Sequence, residues 1–106
     1  MPNPEEYFTE LVSRFRPEAA RGVNAVYQLR LTGNGGGEWH MVVLNQTCQV
    51  FPGTAPRPTT TITLAAADWE ALVSGAMDAF GAILQGRMRI DGDMNLATKL
   101  PGLFGM

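Results

Sequence analysis

From Val23 to Leu31 an apolar residue stands at every second position: Val23, Ala25, Tyr27, Leu29 and Leu31. Asn24, Gln28, Arg30 and Thr32 fall mostly on the alternate positions. A period of two is the signature of a β-strand with one buried face, and a strand needs neighbours to pair its backbone and a layer to cover its apolar side. The chain therefore has to build a sheet and then supply the cover from elsewhere in its 106 residues.

The neighbours follow directly. Gly33-Asn34-Gly35-Gly36-Gly37 reads as a loop, Trp39 to Leu44 as a second strand, and Thr47 to Phe51 as a third after a tight Asn45-Gln46 turn. Pro52 to Pro58 carries three prolines and a glycine and reads as a loop with few ladder donors. Thr59 to Leu64 is threonine-rich with Ile62 and Leu64 on one side, which predicts a fourth strand.

The cover is helical. Tyr7, Phe8, Leu11, Val12 and Phe15 recur at helical spacing over residues 4–15, opposite Glu5, Glu6, Glu10 and Arg14; Asn3 suits the cap and Pro4 the first turn. Pro17 to Gly22 adds at most one further turn. Ala67 to Gly75 predicts a short helix with acidic residues in its first turn, and Asp78 caps another carrying Phe80, Ile83 and Leu84.

Gln85 to Met94 then compresses four signals into ten residues. Gly86 closes the preceding helix, Met88 and Ile90 alternate with Arg87, Arg89 and Asp91 in a short strand, Asp91-Gly92 turns, and Asp93 caps a last helix. That helix is expected from Met94 to Leu100, with Pro101 stopping or kinking it. The sum is a single α+β domain, a mainly antiparallel sheet with helices packed on one face.

Composition narrows the function. A net charge of −2 leaves no basic footprint for nucleic acid. No run approaches the length of a membrane span, the N-terminal residues have no signal-peptide core, and the C-terminal residues form no peroxisomal address, so a cytoplasmic location is expected. Cys48 is the sole cysteine, which rules out an internal disulfide and suits a reducing compartment.

Nothing resembles a catalytic constellation. The glycine loop lacks a Walker lysine and leads into a strand, so a hairpin connection is expected there. His40 is the only histidine, which leaves a triad or a paired-histidine metal site without its second member; a solvent-facing strand position suits it better. Cys48, with no partner cysteine and a strand placement, reads as an inert small hydrophobe. Asp91 and Asp93 lack the further oxygen ligands of a calcium loop, and turn and cap roles account for them. No metal, cofactor or enzymatic activity is expected.

Three words in order carry a family resemblance: Tyr27-Gln28-Leu29-Arg30-Leu31-Thr32-Gly33 leading into the glycine loop and Trp39; Asp68-Trp69-Glu70-Ala71-Leu72-Val73-Ser74-Gly75; and Gln85-Gly86-Arg87-Met88-Arg89-Ile90-Asp91-Gly92-Asp93 followed by Leu96 and Lys99-Leu100. Together they resemble the sterol carrier protein-2 (SCP-2) domain family over nearly the whole chain. The chain departs from the family pattern at Thr59-Thr60, where Ala-Asp is frequent, and at Ala66, where a serine cap is usual.

The resemblance implies a five-stranded sheet with helices over one face, enclosing an apolar tunnel with the last helix as part of a lid. It further implies non-catalytic binding and transfer of an amphiphile: a fatty acid, acyl-CoA, sterol or isoprenoid. The residues expected as core or tunnel lining are Phe8, Val12, Phe15, Met41, Val43, Trp69, Leu72, Val73, Phe80, Ile83, Leu84, Met88, Ile90, Met94, Leu100, Leu103 and Phe104, with Gln85 as the contact for a polar head. Met41, Met77, Met88 and Met94 suit either core filling or a lining that repacks around different ligands. The expected partner is a lipid or other amphiphile, with transient membrane contact through the first helix and docking to a lipid or quinone biosynthetic enzyme as further options. No nucleic acid is expected, and the chain should be a monomer or weak homodimer.

Overall fold

The computed structural model describes residues 4–34 and 36–105. Helix α1 (Pro4–Ser13) and a 3-10 turn at Pro17–Ala20 lead into β1 (Ala25–Thr32), β2 (Gly37–Leu44) and β3 (Thr47–Pro52). Then come β4 (Thr60–Ala65), α2 (Ala66–Ser74), α3 (Ala79–Leu84), β5 (Met88–Gly92) and α4 (Met94–Phe104). Asn3, Gly35 and the side chains of Pro4, Glu5, Tyr7 and Pro101 lie outside what the structure describes.

The five strands form one sheet in the order β3-β2-β1-β4-β5. All pairings are antiparallel except β1 with β4, which is parallel. A parallel pair cannot be joined by a tight turn, and here the connection runs through β2, β3 and the proline-rich loop after Pro52. Asn45 and Gln46 both have positive φ, 51° and 61°, the geometry a two-residue hairpin requires.

The alternation in β1 holds. Ala25, Tyr27, Leu29 and Leu31 are buried on the face that α1, α2, α3 and α4 cover, together with Met41, Val43, Ile62 and Leu64 from the neighbouring strands. The opposite face is mostly open, with one exception. Gln28 is buried there beneath the proline-rich loop, donating through Nε2 to the carbonyls of Trp39 (3.1 Å) and Gly53 (3.3 Å) and accepting from the Ala55 amide (2.7 Å). An amide with all these groups satisfied is the polar equivalent of a core residue.

Most expected boundaries shift by one or two residues, as α1 does in ending at Ser13 and β1 in starting at Ala25, and two shifts have a tertiary cause. Gly92 belongs to β5 opposite Thr60 instead of standing in a turn, with φ at +105°, and a Cβ there would come within 2.7 Å of the Thr59 carbonyl oxygen. Helix α4 continues past Pro101 to Phe104. A mid-helix proline forfeits one hydrogen bond, yet stopping at residue 100 would leave Leu103 and Phe104 in water, and both are fully buried. Tertiary burial outweighs the local penalty.

Candidate functional site

Floor, walls and mouth of an apolar cavity come from five elements. Ile62 on β4 and Met88 and Ile90 on β5 form the floor; Trp69 and Leu72 come from α2, Ala79, Phe80 and Ile83 from α3, and Met94, Ala97, Thr98 and Leu100 from α4. The volume is about 150 Å³. Small residues create the space, because Ala79 and Ala97 stand where larger side chains would fill it. At the mouth, Phe80 is 68% and Met94 51% exposed, and Leu84, one helical turn after Phe80, is 83% exposed.

Helix α3 is a light cover. It has six residues, with Asp78 capping its first turn by accepting from the Gly81 amide at 3.0 Å. The last helix is held more firmly. Asp93 caps it by accepting from the Leu96 amide (3.1 Å), and the Tyr27 hydroxyl donates to the Leu96 carbonyl at 2.8 Å. Burial, followed by the nearby Asp93 and Cys48, pushes the Tyr27 phenol up to about 12, so it donates throughout the neutral range.

Eight expected residues meet at this cavity: Trp69, Leu72, Phe80, Ile83, Met88, Ile90, Met94 and Leu100. Phe8 and Val12 instead line a second, open groove of about 550 Å³ between α1 and the β2–β3 hairpin, with Trp39, Cys48 and Val50. This places the apolar surface of α1 against the sheet edge. Met41, Val43 and Val73 are closed core, and Phe15, Leu103 and Phe104 form a packed end of the helical layer, where the rings of Phe15 and Phe104 lie 5.7 Å apart. Leu84 and Gln85 are exposed at the end of α3 and take no part in the cavity lining, because the Gln85 backbone caps that helix and leaves its side chain in solvent.

The expected tunnel takes a different form among the described residues: a cavity and a groove, with Phe8 and Trp69 packed between them at a ring separation of 4.9 Å. Ile62, Ala79, Ala97 and Thr98 complete the cavity and were not among the expected lining residues. Ile62 was legible as inward from the alternation of β4. The two alanines carry no such signal, since a small residue marks a cavity only once its neighbours are known.

His40, Cys48 and Asp91 take structural places. His40 places Nδ1 3.1 Å from the Gly53 carbonyl oxygen and stacks on Phe51. Burial pushes the Cys48 thiol up to about 11, which keeps it protonated and unreactive at neutral pH. Asp91 pairs with Arg89 on the surface at 3.3 Å. Trp69 keeps its indole N–H buried with no hydrogen-bond partner.

The profile of the SCP-2 sterol transfer family matches residues 8–105. The chain belongs to the SCP-2 family. Sterol carrier protein 2 of Homo sapiens is 29% identical over 102 residues, covering 91% of this chain and 19% of the human protein. The chain thus spans about a fifth of the length of the curated relatives it matches. Among solved SCP-2 structures, palmitated SCP2L2 from Aedes aegypti superposes with a TM-score of 0.83 at 25% identity, over 99% of this chain and 96% of that one. UbiJ-SCP2, a ubiquinone synthesis protein, shares the fold with a TM-score of 0.70 at 16% identity, covering 95% and 89% of the two chains. No helix among the described residues is long and apolar enough to cross a membrane.

Proposed function

We propose that this SCP-2 domain binds an amphiphilic lipid non-catalytically, with the apolar end of the ligand in the cavity under α3. The observation that carries this is the cavity itself: eleven of its twelve lining residues are apolar, and its mouth is rimmed by the exposed Phe80 and Met94. Each Å² of apolar ligand surface removed from water is worth about 25 cal/mol, which for a long chain supports micromolar affinity after association costs. A dry cavity of about 150 Å³ holds a benzene-sized group, so a whole acyl chain needs more room than the closed form offers. The short helix α3 is the cover that yields.

The exposed Phe80 and Leu84 also give a reason for transient membrane contact, since they present an apolar edge at the mouth through which a lipid passes. Equilibrium titration with a fluorescent fatty acid tests the reading. Saturable binding at one site, displaced by palmitate and lost when Ala97→Phe fills the cavity, is the expected result. A protein that binds no fatty acid, or binds it equally well in the Ala97→Phe variant, overturns it.

A second reading places the domain as an accessory module that presents a hydrophobic intermediate to a lipid or quinone biosynthetic enzyme. The structural likeness to UbiJ-SCP2 favours it. Co-purification of an enzyme of that class with the tagged domain supports this role, and its absence under mild cross-linking counts against it.

A further inference from the structure

The apolar space on the helical side of the sheet is divided, and at one point the groove and the cavity are separated by the contact of two side chains, Phe8 and Trp69. One row of residues crosses all five strands as direct register partners: Pro52 on β3, Trp39 on β2, Leu29 on β1, Ile62 on β4 and Ile90 on β5. Pro52 and Trp39 belong to the groove beside α1, while Ile62 and Ile90 belong to the cavity under α3. Leu29, fully buried, is the midpoint. Strands lie about 4.8 Å apart, so the row runs for about 19 Å, comparable to an extended palmitoyl chain.

Phe8 closes that row in the middle. Its ring sits 5.2 Å from Trp39 and 4.9 Å from Trp69, bridging the groove wall to the cavity wall. Nothing polar tethers this bridge. Phenylalanine has no hydrogen-bonding group, and the indole N–H of Trp69 has no partner, so the two rings are held by packing alone.

Resting on the lipid reading above, we propose that the Phe8–Trp69 contact is an internal partition, with Phe8 as the residue that sets the length of acyl chain the domain accepts. With Phe8 seated between the two tryptophans, a chain entering under α3 ends at Trp69. With Phe8 turned aside or shortened, the chain continues over Leu29 into the groove. The two spaces then form one passage across the sheet.

The test compares decanoate with palmitate, each measured by displacement of a fluorescent fatty acid. The Phe8→Leu variant should shift the ratio of the two dissociation constants toward palmitate by about tenfold, the effect of roughly two further methylenes leaving water. Leucine is used because it keeps an apolar side chain in the core and so preserves folding better than alanine does. The control is Phe15→Leu, in a ring pair that lines neither space; it should leave the ratio within about twofold of wild type. An unchanged ratio in Phe8→Leu, or an equal shift in Phe15→Leu, overturns the partition while leaving the lipid reading intact. Absence of fatty-acid binding in the wild type overturns both.

Discussion

The hydroxyl of Tyr27, near the start of β1, donates to the carbonyl of Leu96 in the first turn of α4 at 2.8 Å, tying sheet to helix across 69 positions of sequence. Tyr27 is fully buried and the bond itself part-buried, so water competes with it less than with a surface hydrogen bond. It fixes the end of α4 from which Met94 and Ala97 reach the cavity. Removing the hydroxyl with Tyr27→Phe should cost about 1 kcal/mol, which for a domain of this size lowers Tm by about 4–8 °C. Calorimetry checks the first effect. Faster hydrogen exchange confined to the first turn of α4 checks its location.

The same phenol makes the fold sensitive to alkali. Burial, then Asp93 and Cys48, raises Tyr27 from 10.0 to about 12, and burial raises Cys48 from 9.0 to about 11. Both groups are more readily deprotonated when unfolded, so the folded state binds more protons and stability falls as pH rises from about 9 to about 12. Below that window their contribution is fully present. For Tyr27 the decline amounts to about 2 to 3 kcal/mol. Urea titrations across the window should show this decline, and Tyr27→Phe should abolish the part above about pH 11.

Gln28 is expected to behave as a core residue despite lying on the open face of the sheet. Gln28→Ala strips the Ala55 amide of its partner under the proline-rich loop and takes a donor away from the Trp39 and Gly53 carbonyls. A loss of about 2–3 kcal/mol is expected, because buried groups left unpaired keep their desolvation cost. Amide exchange at Ala55 should accelerate with it. Unchanged protection at Ala55 would show that the loop is held by other contacts, such as His40 on Gly53.

Phe80, Leu84 and Gln85 should separate membrane transfer from binding. All three are exposed on or beside α3, so Phe80→Ser and Leu84→Ser should change stability by no more than about 0.5 kcal/mol. Slower lipid uptake from zwitterionic vesicles, with affinity for monomeric fatty acid altered less, is the expected signature. Gln85→Ala should leave binding of carboxylated and plain hydrocarbon probes equally unaffected. A selective loss of the carboxylated probe would assign Gln85 the polar-head role that the family resemblance suggested.

Local pattern alone determined much of this protein. Alternation in Val23–Leu31, the Asn45-Gln46 turn, the caps at Asp78 and Asp93 and the left-handed Gly75 that ends α2 are all decided within a few residues of sequence, where backbone geometry and periodicity act. The family was legible for the same reason, since its identifying words are framework words. What tertiary structure decided is everything that depends on residues distant in sequence. Pro101 stays inside α4 because Leu103 and Phe104 find a core to enter. Gln28 is buried because a loop 25 positions later folds back over it. The cavity exists because Ala79 and Ala97 meet across a space that no single helix can reveal, and Phe8 divides it from the groove because register aligns five strands beneath it. Periodicity says which side of an element is apolar; only packing says whether that side meets another surface or leaves room for a ligand.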